Sequence, residues 1–305
     1  MRNIGIDVAK LTLAVFVPEC GGFEVNNSKD GFREILSKLN LDDVVGVEST
    51  GNYHHELAKF FLTKGIEVRE LNPILTKQFI RATIRGRKTD KTDAEIIAKL
   101  LDNGEGHCMT LENIDNKLKK LFRARTKLVQ KRASIKLQLQ VVKPDMKIIV
   151  RSYKKLIKSF DIEVQKIEEE MNKFESKETE ILKSIPGIST KLARGILAEI
   201  GDIKRFDNKK KLVAFAGYDP KLTESGTSMH RTGKLTKRGS SHLRHALYLA
   251  AFANIRSKNV FADYYGKKKS EGKHHFKAIT ATSRKILEII YALLQKGEKF
   301  RLDFS

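Results

Sequence analysis

Two aspartates three residues apart stand where a basic stretch runs into an apolar-periodic one, in Lys88-Thr89-Asp90-Lys91-Thr92-Asp93-Ala94-Glu95. If this is the first turn of a helix continuing through Ile96, Ile97, Leu100 and Leu101, Asp90 and Asp93 share a face, and both carboxylates can address one hard cation. Such a cation needs more oxygens. Asp7, in Ile4-Gly5-Ile6-Asp7-Val8-Ala9-Lys10, and Glu48, in Val44-Val45-Gly46-Val47-Glu48-Ser49-Thr50, stand where apolar strands should end. An Asp on a first strand, a Glu on a later strand and a D-x-x-D on a helix make a four-carboxylate set for Mg²⁺. That arrangement cuts phosphodiesters with two metals roughly 4 Å apart. Each acid also has a plainer reading. Thr92-x-x-Glu95 is a capping box, and acids in a first helical turn suit the helix dipole. Asp7 reads as a turn aspartate and Glu48 as a strand-end carboxylate. Their combination favours the metal, because carboxylates are poor strand formers and need a partner in apolar surroundings.

The elements that must hold these acids follow from periodicity. Residues 4–9, 11–17 and 23–26 read as three short strands with tight turns, an antiparallel meander. Residues 30–39 form an amphipathic helix on Phe32, Ile35, Leu36 and Leu39, followed by a strand at 44–47 and a helix from about 53 to 63. Another strand spans 66–71, and Pro73 opens the next helix at its preferred first position. The order βββ-α-β-α-β-α with a closing acidic helix is that of an RNase H-like fold, with Asp7 and Glu48 on adjacent central strands. Ser49-Thr50-Gly51-Asn52-Tyr53-His54 either touches a phosphate or caps the helix it precedes.

A chain of 305 residues with 40% hydrophobic content has room for two domains with cores. Its formal net charge of +22 attracts polyanions, nucleic acids foremost. No apolar run is long enough to span a membrane and no signal segment opens the chain, so no membrane partner is expected and the cytoplasm, in association with the nucleoid, is the expected location. Two cysteines, Cys20 and Cys108, support neither a disulfide framework nor a zinc cluster.

From Asn116 to Pro144 there is no acid, while Lys119, Lys120, Arg123 and Lys127 belong to a dense cationic run. Apolar residues spaced by threes and fours predict a long helix with basic flanks, and this set is the candidate nucleic-acid contact. Pro144 breaks the helix, and a second, of mixed charge toward its end, is expected from about 145 to 177 as the return of a coiled-coil arm. Ser184-Ile185-Pro186-Gly187-Ile188-Ser189 is similar to a helix-hairpin-helix turn, which holds a DNA phosphate in some domains and only packs in others. Residues 217–239 read as a long polar loop, with Ser225 before Gly226 and cations at Arg231, Lys234, Lys237 and Arg238 able to hold phosphates beside it. Ser225 is one of several loop serines there, and a hydroxyl is a poor nucleophile unless a base or metal activates it. Residues 241–253 form a small-residue helix on which His242 and His245 read as surface contacts. A closing amphipathic helix spans 276–295.

Together, Gly5-Ile6-Asp7-Val8-Ala9-Lys10, Glu48-Ser49-Thr50-Gly51-Asn52-Tyr53, Asn72-Pro73, Lys88-Thr89-Asp90-Lys91-Thr92-Asp93-Ala94, Ile185-Pro186-Gly187-Ile188, Phe215-Ala216-Gly217, Glu224-Ser225-Gly226 and Leu243-Arg244-His245-Ala246-Leu247-Tyr248 resemble the IS110-family transposases, the bridge-RNA-guided DEDD recombinases. The resemblance implies a RuvC-like DEDD domain over 1–106, a basic coiled-coil arm over 107–180 and a helical C-terminal transposase domain over 181–305. It implies that Asp7, Glu48, Asp90 and Asp93 bind Mg²⁺ and that Ser225 attacks the scissile phosphate, leaving a phosphoserine-linked DNA end. It further implies a structured guide (bridge) RNA that selects donor and target DNA, and a homo-oligomer of dimers joined as a tetramer, pairing one protomer's carboxylates with another's serine. Two other readings stand beside it. One is a RuvC-like metal-dependent endonuclease or junction resolvase, in which water attacks and Ser225 is structural. The other is a non-catalytic nucleic-acid-binding protein, with steeply salt-dependent binding and no metal-dependent product.

Overall fold

Alternation along β1 (Asn3–Val8) puts Ile4, Ile6 and Val8 on one side of the strand and Asn3, Gly5 and Asp7 on the other. In the computed structural model, which describes residues 1–48, 53–82, 90–114, 116–225, 228–237 and 239–301, that division decides what covers each sheet face. The side chains of Asp90, Lys91 and residues 221–234 lie outside the description, as do residues 49–52 and 83–89, where the Ser49–Asn52 turn and most of the basic stretch fall. The chain divides into two units, Met1–Asp115 and Asn116–Ser305.

In the first unit β2 (Thr12–Val17) and β3 (Gly21–Asn26) complete the meander, and α1 (Lys29–Leu36) follows, capped by Ser28. β4 (Val44–Glu48), α2 (His54–Thr63), β5 (Glu67–Leu71), α3 (Pro73–Ala82) and α4 (Asp90–Asp102) come next, and β6 (His107–Cys108) and α5 (Leu111–Ile114) end the unit. The sheet runs β3-β2-β1-β4-β5-β6, with β1, β4 and β5 parallel and the outer strands antiparallel. The expected order of strands and helices is present. The unit runs past the boundary expected at 106, because β6 pairs with β5 and Ile114 of α5 joins the core.

Ile4, Ile6, Val45, Val47 and Val68 pack under α1 and α2 through Phe32, Ile35, Leu57 and Phe61. The opposite face is shared by Gly5 and Gly46, which are register partners, and α4 lies directly on them. A Cβ at Gly5 would sit 1.9 Å from the Ala94 carbonyl oxygen, and one at Gly46 2.9 Å from Ile97 Cγ2. The two glycines therefore set how closely the helix approaches. Gly5→Ala is expected to cost about 3 kcal/mol or more by forcing α4 off the sheet. Thermal denaturation measures this, and an unchanged Tm would show that α4 does not depend on this close approach.

Among its described residues the second unit is helical apart from one hairpin. α6 (Lys117–Val141) and α7 (Lys147–Asn172) pack antiparallel, joined across the break at Pro144. α8 (Lys177–Lys183), α9 (Thr190–Ile200), α10 (Lys209–Phe215), β7 (Pro220–Ser225), β8 (Ser228–Leu235), α11 (Ser241–Asn254), α12 (Val260–Ser270) and α13 (His275–Lys296) follow. Ile279, Ile286, Ile290 and Leu293 of α13 lie in the core, and the helix packs against α8, α10, α11 and α12.

Two expectations change here, and one helix is added. The helix expected to 177 stops at Asn172, and Ser176 starts a separate α8 by accepting a hydrogen bond from the Thr179 amide. The polar loop expected over 217–239 contains an antiparallel hairpin, registered Ser225↔Ser228, Thr223↔His230 and Leu222↔Arg231, which pairs backbone that polar side chains left unassigned. α12 had no counterpart in the sequence reading. The turn before α9 packs on α11: Asn254 Nδ2 donates to the Pro186 carbonyl at 2.6 Å, Ile185 and Ile188 are buried, and Gly187 has φ +78°.

Candidate active site

β1 and β4 run parallel with Ile6 opposite Val47, so the next step in register sets Asp7 beside Glu48 at the C-terminal ends of both strands. Both belong to the glycine-lined face under α4, since side chains on neighbouring strands in register point the same way. Asn3 Nδ2, at the other end of β1, donates to Asp102 Oδ1 at 2.7 Å, while Ala94 lies over Gly5. α4 therefore crosses β1 antiparallel, and its first turn, with Asp90 and Asp93, lies toward Asp7. Asp93 is partly buried with its Oδ1 enclosed, and Asp7 is half-buried.

Glu48 is held from the side. Thr76 of α3, 2% exposed, donates its hydroxyl to Glu48 Oε2 at 2.7 Å and lies 3.0 Å from the Pro73 carbonyl. Sequence reasoning missed Thr76; its only signal was a threonine one turn into the helix after Asn72-Pro73. It also missed the surroundings of His54, whose buried ring lies 3.3 Å from Glu70 on β5. Among the described residues no three His, Cys, Asp or Glu side chains form a ready metal cluster, and Asp90's side chain lies outside them. The oxygen-only donor set is the kind a hard divalent cation takes.

Ser225 is the last residue of β7. Its side chain and those of Arg231 and Lys234 lie outside the described residues, as do Gly226, Thr227 and Arg238; Lys237 is exposed, with φ 53°. The base of the hairpin is clasped. Arg244 donates to the Gly239 carbonyl at 2.7 Å and the Ala216 carbonyl at 3.0 Å, and the Lys237 amide donates to the Gly217 carbonyl. The buried Tyr218 hydroxyl donates to the Arg244 carbonyl, and burial pushes its pKa up to about 12. His242 and His245 are partly buried, and burial lowers the pKa of both.

The basic arm is less free than its sequence suggests. Arg123 forms a two-point ion pair with the buried Glu199, Nε to Oε1 at 2.6 Å and a second nitrogen to Oε2 at 2.8 Å. Glu199 also accepts from the Ser240 hydroxyl at 2.8 Å. Arg125 pairs with Glu168, Arg132 with Asp161 and Lys117 with Glu170. Lys119 is partly exposed, and Lys120 and Lys127 are exposed. Burial pushes the Glu199 carboxyl up, but the hydrogen bonds from Arg123 and Ser240 outweigh it and hold the group below the usual carboxylate range. A depressed folded pKa adds stability above the unfolded value and loses it as pH falls through the folded one. Arg123→Ala should thus cost about 2–4 kcal/mol at pH 7, somewhat moderated because the guanidinium is partly exposed. The deficit should shrink below about pH 4 as the carboxyl protonates. Denaturant melts of both proteins against pH measure this, and a deficit constant with pH would remove the ion pair from the account.

Two family models match. One described as a DEDD transposase of IS110 covers residues 4–142, and one described as the transposase IS116/IS110/IS902 family covers 179–266. The pilin gene-inverting protein of Moraxella bovis is 26% identical over 316 residues, spanning 97% of each chain, and that of Moraxella lacunata is similar to the same extent. The transposase for insertion sequence element IS1111A of Coxiella burnetii is 30% identical over 129 residues, 41% of this chain and 35% of its own. An insertion element IS110 protein of Streptomyces coelicolor is 31% identical over 118 residues, 38% of this chain and 29% of its own. The DEDD domain makes the mixed sheet of the first unit an RNase H-like fold and goes with divalent-metal use. No helix among the described residues is long and apolar enough to cross a membrane. With two models of one family in order along most of its length and full-length relatives that invert DNA by name, the chain belongs to the IS110 family of insertion-sequence transposases.

Proposed function

We propose that this transposase cuts and rejoins donor and target DNA through a phosphoserine intermediate, with Asp7, Glu48, Asp90 and Asp93 holding Mg²⁺ and Ser225 as nucleophile. The observation that carries the metal half is the register of β1 on β4 with α4 laid antiparallel across them, which gathers acids far apart in sequence at one end of one sheet face. Bound there, Mg²⁺ supplies Lewis-acid polarisation of a phosphate oxygen and charge relief for the leaving group. Thr76 would hold Glu48 in the set through its hydrogen bond to Oε2, and the close approach of α4 to Gly5 and Gly46 supports acids from the helix joining those at the strand ends.

In the serine half, the Ser225 oxygen bonds to phosphorus as the phosphorus–O3′ bond breaks; the hydroxyl proton is lost and the departing 3′-oxygen gains one. One phosphodiester replaces another, so a 3′-hydroxyl can reverse the step on a new partner without an energy source. The clasp of Arg244 at the base of the hairpin supports a fixed position for the serine. Selection of sites by a structured bridge RNA, supported by the net charge of +22 and the family resemblance, and a tetramer of dimers pairing carboxylates and serine from different protomers, supported by the resemblance alone, belong to the same proposal. The test is to incubate the protein, Mg²⁺ and element-derived RNA with labelled donor and target DNA and look for a denaturant-stable protein–DNA adduct. Free nicked DNA without adduct would transfer the site to a metal-dependent hydrolase.

A further inference from the structure

The cations of the α6–α7 hairpin look alike in the sequence and are not alike in the fold. Near the body of the unit they are matched by acids from distant segments: Arg123 by Glu199, Arg125 by Glu168, Arg132 by Asp161. Toward the free end this matching stops. Between residues 133 and 158 there are seven Lys and Arg against one acid, Asp145. On α7, Lys147, Arg151, Lys154 and Lys158 follow one another at intervals of four, three and four, which places them on one helix face. All four are exposed, and none takes part in an ion pair among the described residues. Holding four like charges in a row on one helix is unfavourable unless a polyanion neutralises them.

We propose that the α7 stripe of Lys147, Arg151, Lys154 and Lys158 is a docking surface for the phosphate backbone of duplex DNA. The stripe is straight and about 16 Å long at the helical rise, a length over which a duplex carries about ten phosphate charges. That count covers both strands all round the duplex and exceeds the four cations, so the facing phosphates can neutralise the stripe. Unpaired nucleic acid is the weaker match, since it is gripped by stacking on aromatic rings and Tyr153 is the one aromatic between residues 131 and 158. The proposal places a DNA contact on the far half of the arm, away from Lys119, Lys120, Arg123 and Lys127. It takes the identity of the polyanion from the transposase reading but needs no chemistry. It can therefore stand or fall separately from the phosphoserine mechanism.

The test uses the full chain with EDTA in place of divalent metal, and a short blunt duplex of mixed sequence followed by fluorescence anisotropy across a salt series. Each phosphate contact contributes about 0.9 to the slope of log affinity against log salt. K147Q/R151Q/K154Q/K158Q should flatten that slope by about 2 to 4 and weaken binding at least roughly ten-fold at moderate salt, with Tm unchanged or slightly raised because the four side chains are exposed and their mutual repulsion is removed. K147R/K154R/K158R, which keeps the charge, should bind as wild type; if the quadruple variant fails to fold, K154Q/K158Q should flatten the slope by about half as much. Wild-type slope and affinity in folded neutralised protein would overturn the proposal. So would a loss confined to a single-stranded or hairpin RNA probe. A changed oligomeric state with duplex binding intact would also overturn it; Val141 and Ile148, each 82% exposed beside the stripe, are the residues through which such self-association would act.

Discussion

Asp7→Asn is expected to lower DNA cleavage and rejoining by about a thousand-fold or more while the protein stays folded and still binds DNA. The magnitude follows from what the carboxylate is asked to do: metal stabilisation of charge at a reacting phosphate amounts to several kcal/mol, and each 1.36 kcal/mol is a factor of ten. Asparagine fills the same space at the end of β1, so the register with β4 and the seat of α4 on Gly5 and Gly46 are untouched. Removing one of several like charges at the end of one face relieves repulsion, so the metal-free Asp7→Asn protein should melt at the wild-type temperature or slightly above it. A ligand that binds only the folded state raises Tm with its concentration, so added Mg²⁺ should stabilise wild type and leave Asp7→Asn nearly unmoved. Wild-type turnover by the variant, or an equal Mg²⁺ shift in both proteins, would remove Asp7 from the metal set.

The strand and helix order of the first unit was legible because its signals are local: alternation in β1 and β2, the apolar run of β4, the proline that opens α3. The way its acids come together was only half legible. D-x-x-D can be read in the sequence, but the direction of α4 across β1 depends on Asn3 meeting Asp102 and on two glycines meeting a helix some fifty to ninety residues later. Thr76 was illegible for the same reason, since nothing near it in sequence announces that Glu48 lies 28 positions back and one hydrogen bond away. The β7–β8 hairpin was not legible because its side chains are polar and give no apolar alternation, whereas backbone pairing needs no apolar side chain. In α12, Phe261 is the one buried apolar residue and the last turn is lysine-rich, so it carries little amphipathic signal. The arm shows the limit most directly. The cations of α6 are equivalent in a linear reading, and the partner that distinguishes Arg123 from Lys127 is Glu199, 76 residues away.

Ser225→Ala is expected to abolish the denaturant-stable protein–DNA adduct and, with it, strand exchange, a loss of about a thousand-fold or more if no other group replaces the nucleophile. The serine ends β7 directly opposite Ser228, and removing one hydroxyl oxygen there leaves the backbone pairing of the hairpin intact. The clasp at its base, formed by Arg244 with the Ala216 and Gly239 carbonyls, lies outside the substitution as well. DNA affinity and Tm should therefore match wild type, and so should the Mg²⁺ shift in Tm, because the acids of the first unit are unchanged. This combination separates the two halves of the proposed site: Asp7→Asn loses the Mg²⁺ shift and the adduct, whereas Ser225→Ala loses the adduct alone. Ser228→Ala serves as the control for a merely nearby hydroxyl and should keep the adduct. If Ser225→Ala instead cuts DNA as fast as wild type and releases free nicked strands, water is the nucleophile. The carboxylate site would then act without the hairpin serine, as in a metal-dependent nuclease.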